Sequence, residues 1–285
     1  MLISCLTASV MVSIVRHLSE DLHSFQVVFF RNAAALLFLL PWLMRSGIKV
    51  IKTTRIKMYG LRASVGLIAM YFWFYSVSIV PLSLATALSF TAPLFTAVLA
   101  VFFFGEKYGI HRTAALIIGF TGAIIVIQPG TEGFNYNSIY ALIAASLWAF
   151  SGIIIKSLTN TDAPVVVAFY MVLMMTPLSI PLAVMNWHEI KYEHIVWIIA
   201  LGYISNIFQI SLSKAIASTD FFVILPFDFT RLIFVSVIAY FAFDQVIDLW
   251  TAVGSAIIMA SAVYTTWREA RIRNTKKAEE LIGYD

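Results

Sequence analysis

Asp228 and Arg231 stand three residues apart inside an apolar stretch running from about residue 221 to 243. At i and i+3 of a helix they share a face and can pair. Insertion scales charge about 2.5 to 3.5 kcal/mol for one such side chain at the centre of a membrane helix. A pair at that depth is therefore either a structural lock or a contact for a polar or zwitterionic solute. Pro226 lies just before it and removes a backbone hydrogen bond, freeing a carbonyl that a cavity can use. Pro93 sits near the middle of the stretch 82–104, and both prolines are expected to bend their helices.

The same stretches hold few other polar groups. Arg31 is followed by Asn32, and Asn206 and Gln209 lie one turn apart; the two amides can bind solute or join helices. Tyr75 and Trp148 are the aromatic residues whose half-polar edges suit a cavity wall. Together with Asp228 and Arg231, these residues form the expected substrate-binding set: Arg31, Tyr75, Trp148, Asn206 and Gln209.

Catalysis is not expected. All five histidines (His17, His23, His111, His188 and His194) fall in loops or at the ends of apolar stretches, and no HExxH, P-loop or paired-carboxylate arrangement occurs. Cys5 is the single cysteine, so it forms no internal disulfide and no metal site by itself. No cofactor and no metal are expected.

The elements that must hold these side chains follow from composition. Apolar residues make up 61% of the 285, charged ones 12%, and mean hydropathy is +0.89, far from a water-soluble domain. The apolar runs are about 17 to 25 residues long, the length an α-helix needs to cross about 30 Å of hydrocarbon. Spans are expected at about 1–18, 24–44, 60–79, 82–104, 112–128, 138–158, 163–186, 194–216, 221–243 and 249–267, with turn residues at the joints. The fold class is thus an all-α polytopic membrane protein with ten transmembrane helices. No basic segment precedes the first apolar run, so a cleaved signal is not expected.

Lys and Arg near span ends stay cytoplasmic. With the N-terminus inside, cytoplasmic segments hold Arg45, Lys49, Lys52, Arg55, Lys57, Arg62, Lys107, Arg112, Lys156, Lys214, Arg268, Arg271, Arg273, Lys276 and Lys277, against Arg16 and Lys191 outside. The net charge of +4 is accounted for by topology and needs no nucleic-acid partner. The partners expected are the bilayer and a small-molecule metabolite.

Phe90 to Phe104 (FTAPLFTAVLAVFFF) recur in altered form 139 positions later as Phe229 to Phe243 (FTRLIFVSVIAYFAF), with seven identities in fifteen. Chance in so Phe-rich a chain gives roughly one or two, so the chain reads as a tandem duplication. Five spans per half is an odd number, so the second copy enters the bilayer from the other side. The expected organisation is two inverted five-helix repeats, 1–133 and 134–268, with a cytoplasmic tail at 269–285. Inverted repeats permit rocking about a midplane site and hence alternating access. At the shared offset, Ser89 and Ala92 stand where the second copy has Asp228 and Arg231. Small residues recur at four-residue spacing in Ala115, Gly119 and Ala123, and in Ala252, Ala256 and Ala260. Such stripes let helices approach closely, either on each other or across a homodimer seam through spans 5 and 10.

The segments LHSFQVVFFRN (Leu22 to Asn32), VPLSLATALSFTAPLFTAVLAVFFFGEK (Val80 to Lys107) and PFDFTRLIFVSVIAYFAFDQ (Pro226 to Gln245), with the five-plus-five plan, resemble the EamA branch of the drug/metabolite transporter superfamily over essentially the whole chain. The resemblance implies a carrier in the bacterial inner membrane with both termini cytoplasmic. It also implies a central cavity lined by spans 1, 3, 4, 6, 8 and 9, with spans 5 and 10 at the periphery. Arg31 matches the family's arginine in span 2, and Gly105-Glu106 its Gly-Glu after span 4; Asp244-Gln245 departs from that pattern in the second half. The first repeat is also similar to S-adenosylmethionine uptake carriers of this branch. The implied solute is an amino acid, S-adenosylmethionine or a similar amphipathic metabolite. A solute channel and, further off, a membrane-embedded enzyme are the competing classes.

Overall fold

The computed structural model of the chain describes residues 1–104, 110–131, 134–218 and 227–282. They form α1 (Leu2–Leu18), α2 (Ser24–Ser46), a 3-10 turn (Ile48–Ile51), α3 (Ile56–Ile79), α4 (Leu82–Ser89), α5 (Ala92–Phe104), α6 (Ile110–Ile127), α7 (Ser138–Thr159), α8 (Pro164–Met185), α9 (Tyr192–Ser218), α10 (Thr230–Phe243) and α11 (Leu249–Ile282). No strand occurs among the described residues. The expected spans fall on these helices in order, with α4 and α5 sharing the stretch 82–104. Among the described residues, five stretches are long and apolar enough to cross a bilayer: Ser24–Ser46, Leu82–Leu99, Ser138–Thr159, Pro164–Met185 and Tyr192–Ala215. Shorter apolar helices cover Leu2–Leu18, Thr113–Ile127, Thr230–Phe243 and Leu249–Thr265. Helix α3 has 24 residues but carries Lys57 and Arg62.

The outward faces are as apolar as the core. Leu37, Ile117, Val184 and Phe241 are all more than half exposed, a distribution that suits hydrocarbon as solvent rather than water.

Local chemistry sets the helix ends. His23 caps α2, its Nδ1 accepting the Phe25 N–H at 3.3 Å, and Gly47 ends the helix at φ +76°, a conformation that a side chain resists. Pro164 opens α8, where its missing N–H costs no intrahelical bond. The Asp244 backbone turns left-handed to end α10, and the next side chain, Gln245, accepts the Leu82 N–H at 3.0 Å. The residue that departs from the Gly-Glu pattern thus caps the start of α4. Glu106 and Pro226 lie outside the described residues. The expected tail begins within a helix, since α11 continues without a break to Ile282.

Packing crosses between the halves. Helix α1 lies on α9 and α10, while α7 lies on α3, α4 and α5; α2 packs on α8 and α9, and α8 on α2 and α3. Helices α6 and α11 pack mainly on each other. A Cβ on Gly122 would lie 2.9 Å from the Gly254 carbonyl oxygen, and one on Gly254 2.7 Å from the Gly122 oxygen. Ser261 Oγ donates to the Ala115 carbonyl at 2.5 Å. The Ala115-Gly119-Ala123 stripe is therefore used within the chain. Ala256 and Ala260 of the second stripe remain exposed.

Candidate functional site

The stretch 82–104 breaks at Phe90 and Thr91, between α4 and α5. Pro93 explains the position: it cannot donate to the Ser89 carbonyl four residues back, and its ring crowds that carbonyl. Side chains take up part of the disruption, Ser89 Oγ donating to the Thr86 carbonyl and Thr91 Oγ1 to that of Leu88, both at 2.6 Å. A turn at Phe229 interrupts the second copy at the equivalent residue. The two breaks face one another, with the Phe90 and Phe229 rings meeting edge to face at 5.0 Å.

The charged pair lies at this junction. Arg231 Nη2 is 3.6 Å from Asp228 Oδ2 and donates to Ser89 Oγ at 2.9 Å; its guanidinium also sits over the Phe90 ring, 5.1 Å from the centroid. The side chains are 14% and 27% exposed for Arg231 and Asp228, so the pair is neither sealed in the core nor free in solvent. Helix α1 supports it from the other side. Cys5 Sγ donates to the Phe227 carbonyl at 3.2 Å and approaches Asp228 Oδ1 at 3.9 Å, and Ser9 Oγ donates to the Arg231 carbonyl at 3.3 Å. Small residues at Cys5 and Ser9, one turn apart, let α1 approach this closely. The result is a charged centre with one cation, one anion and a neighbouring aromatic face, suited to a polar solute that can exchange with the internal partners.

The other expected residues are dispersed. Trp148 packs on Trp73 with centroids 4.9 Å apart, and Tyr75 meets Tyr140 edge-on at 5.0 Å. Asn206 Nδ2 donates to the Ala35 carbonyl at 2.8 Å, joining α9 to α2, and Gln209 Nε2 donates to Ser213 Oγ at 3.4 Å. Arg31 is buried, its Nη1 bonded to Asn32 Oδ1 at 2.8 Å. Arg62, expected among the basic residues near span ends, is buried within α3. Its helix begins at Ile56, one turn earlier than the expected span, so Arg62 lies well inside it. Cys5, Ser9 and Arg62 are the polar contributors that sequence reasoning missed. The four-residue spacing of Arg62 and Gly66 was the available signal for the last.

Two latches lie on opposite sides of the fold, one before the start of α2 and one where the connection after α2 leads into α3; α2 between them is 23 residues and hence about 35 Å long. At its start, Asp21 Oδ2 bonds His194 Nε2 at 3.0 Å and Lys191 Nζ at 2.9 Å. Gln26 exchanges two bonds with the His188 backbone, both at 3.0 Å. At the start of α3, Tyr59 donates to Asp162 Oδ2 in the α7–α8 connection at 2.6 Å, and Arg55 Nη1 to the Ser157 carbonyl of α7 at 2.6 Å. The Lys191 and His194 hydrogen bonds hold the Asp21 carboxyl below its ordinary range, and Asp21 in turn raises Lys191. Asp21, Glu193 and His194 bring three ligand atoms within 4.8 Å of one another, but Lys191 places its ammonium where a cation would sit. The grooves formed along Thr113 to Ile124 of α6 and along Met259 to Trp267 of α11 lie away from the charged pair.

Helices with apolar outer faces, tied around a charged junction of two broken segments, define a multi-pass membrane protein with an internal polar site. The chain belongs to the EamA-like transporter family, whose model matches residues 1–128 and again 136–267. Among its relatives, the S-adenosylmethionine uptake transporter of Rickettsia bellii is 31% identical over 92% of this chain and 90% of its own length. The riboflavin transporter of Vibrio cholerae is 28% identical over 95% of this chain and 94% of its own. One solved crystal structure aligns with a TM-score of 0.64 over 94% of this chain and 97% of its own. Its identity is 15%, so the likeness establishes the fold alone.

Proposed function

We propose that this chain is a secondary transporter that moves a small organic metabolite across the bacterial inner membrane by alternating access. Its substrate is S-adenosylmethionine or a related amino-acid-like solute. Ten spans form two inverted repeats, 1–133 and 134–268, with residues 269–285 as a cytoplasmic tail and both termini in the cytoplasm. Asp228 and Arg231 contact the solute; the activity is transport rather than catalysis.

The observation that carries this reading is the Arg231 guanidinium held between Asp228 and Ser89 at the junction of two broken helices. A charge in that setting has an anion on one side and a weak hydroxyl partner on the other, so a solute group can displace the hydroxyl at modest cost. Family membership supports transport, and the two separate matched segments support the duplication. Support for the inverted relation comes from the pairing of helices across the halves: α1 meets α9 as α7 meets α3. The Phe90 to Phe229 contact adds to it, since equivalent residues of two copies touch when they lie on the axis relating them. The relatives named as S-adenosylmethionine uptake transporters support the substrate class.

The test is uptake of labelled S-adenosylmethionine into proteoliposomes containing the purified protein. Saturable uptake, accelerated by unlabelled solute on the far side, is the expected result. Linear, non-saturating flux would instead point to a channel, and uptake of riboflavin alone would move the substrate class to that of the Vibrio relative.

A further inference from the structure

Arg31 and Arg62 are 3% and 7% exposed, yet neither has a carboxylate partner among the described residues. Arg31 Nη1 binds the Asn32 amide oxygen at 2.8 Å, and Arg62 Nη2 binds the Met171 thioether at 3.4 Å. Arg31 Nε, Arg62 Nε and Arg62 Nη1 have no hydrogen-bond partner among the described residues. The helices that carry them, α2 and α3, pack on one another. Burying a charge is costly unless it is paired and hydrogen-bonded. Two buried neighbouring cations with three idle donors are therefore a configuration that an incoming anion relieves.

The surrounding sequence accommodates this arrangement. Gly66 stands one helical turn after Arg62, and a Cβ there would lie 2.0 Å from Arg62 Nη1 and 2.5 Å from Met175 Cε. The missing side chain lets the guanidinium lie along α3 toward the level of Met70. Met70 is the residue that Asn32, next to Arg31, reaches at 3.8 Å. The walls are thus the thioethers of Met70, Met171 and Met175, which adapt their shape and offer only weak acceptors. They neither neutralise the arginines nor hinder an apolar group beside a charged one.

We propose that Arg31 and Arg62 form a paired-guanidinium site for a carboxylate of the transported solute. The proposal rests on the transporter reading above and narrows it to acids. A carboxylate offers two oxygens with about four acceptor positions, enough for the three idle donors, and the planar fork of arginine matches its geometry. Arg31 and Arg62 bind the acid end, while Asp228 and Arg231 address another polar part of the solute or a later stage of its passage.

The test compares wild type with Arg62→Met in thermal denaturation and proteoliposome uptake. Its probes are S-adenosylmethionine, methionine, riboflavin and decarboxylated S-adenosylmethionine, the last of which keeps the sulfonium and lacks the acid. Ligand-free Arg62→Met is expected to melt at or above the wild-type temperature, because it replaces an unpaired buried charge with an apolar chain of similar size. It is expected to lose S-adenosylmethionine uptake by roughly tenfold or more, the factor attached to a charge-assisted bond. Wild type is expected to discriminate against the decarboxylated probe by a similar factor. Melting of Arg62→Met well below wild type would mark the arginine as structural and overturn the proposal. Equal uptake of the two probes, or equal stabilisation by inorganic phosphate, would also overturn it. Riboflavin uptake without uptake of either carboxylate probe tested, S-adenosylmethionine or methionine, overturns the acid site and leaves the transporter reading standing. No uptake of any of these solutes, with no shift in melting, overturns both.

Discussion

Arg231 donates to Ser89 across the junction of the two halves at 2.9 Å, and Ser89 occupies in the first half the position that Asp228 occupies in the second. On the proposed duplication, one guanidinium spans both versions of the same site, bound to a carboxylate in its own half and to a hydroxyl in the other. The asymmetry assigns unequal roles. The carboxylate carries the electrostatic stabilisation, while the hydroxyl is the weaker tie.

Arg231→Ala is expected to lower uptake by tenfold or more while membrane abundance stays near wild type, because Asp228 is 27% exposed and keeps contact with solvent once its partner is gone. Ser89→Ala removes the hydrogen bond from Arg231 and leaves the ion pair with Asp228 in place. It should lower uptake by a smaller factor than Arg231→Ala. Immunoblots of membranes beside initial uptake rates separate the two effects. Loss of the folded protein in Arg231→Ala would show that the pair is a structural lock.

His23 makes the start of α2 sensitive to acid. Its Nδ1 accepts the Phe25 N–H at 3.3 Å, which requires an unprotonated nitrogen. Burial lowers its pKa, and the facing His188 ring, with centroids 6.3 Å apart, lowers it further. With the folded value depressed, the unfolded chain binds the proton more readily. This contribution to stability is therefore complete above the ordinary histidine value of 6.5 and falls away as pH drops below it. Melting temperature should decline between about pH 7 and pH 5. His23→Asn, which caps without titrating, should flatten that part of the profile.

Gly122 and Gly254 make the α6–α11 contact, since each would drive a Cβ into the other's carbonyl at under 3.0 Å. Gly122→Val should cost about 1 to 3 kcal/mol, the usual range for overpacking, measured as a lower midpoint in denaturation by ionic detergent. Gly60, with nothing within 4 Å of a Cβ, is the control, and Gly60→Ala should leave the midpoint unchanged or raise it.

How much of this was legible in the sequence follows from the physics of each feature. The helices were readable because hydrocarbon demands long apolar segments, and span lengths follow from bilayer thickness. Arg31 and Arg231 stood out as charges in apolar runs. Arg62 did not, because the span expected from residue 60 leaves it at an end, near the exposed Lys57, and a basic residue at a span end reads as a topology signal. Only the turn of α3 and the gap at Gly66 carry it inward. Asn206 illustrates the converse. Its amide in an apolar helix is as consistent with a solute contact as with its observed bond to the Ala35 carbonyl, and nothing local distinguishes the two. The latches were invisible because Asp21 and His194 meet across 173 residues.

Those latches yield a final prediction about the transport cycle. Asp21 and His194 tie the α1–α2 connection to the start of α9, while Tyr59 and Asp162 tie the start of α3 to the α7–α8 connection on the opposite side, so both ends of the bundle are tied in this structure. Alternating access requires each end to open in turn. Holding either one shut should therefore arrest transport even though the opposite end is untouched. Cys5 is the chain's single cysteine and is fully buried, so introduced thiols can be addressed against a quiet background. In Asp21→Cys with His194→Cys, a short cleavable bis-methanethiosulfonate should abolish uptake, and a reductant should restore it. The same reagent on Tyr59→Cys with Asp162→Cys should do likewise, while each single-cysteine variant should retain its activity after treatment. Arrest from only one end would mark that end alone as a moving gate. Unimpaired uptake with both ends linked would rule out a path that depends on opening either of them.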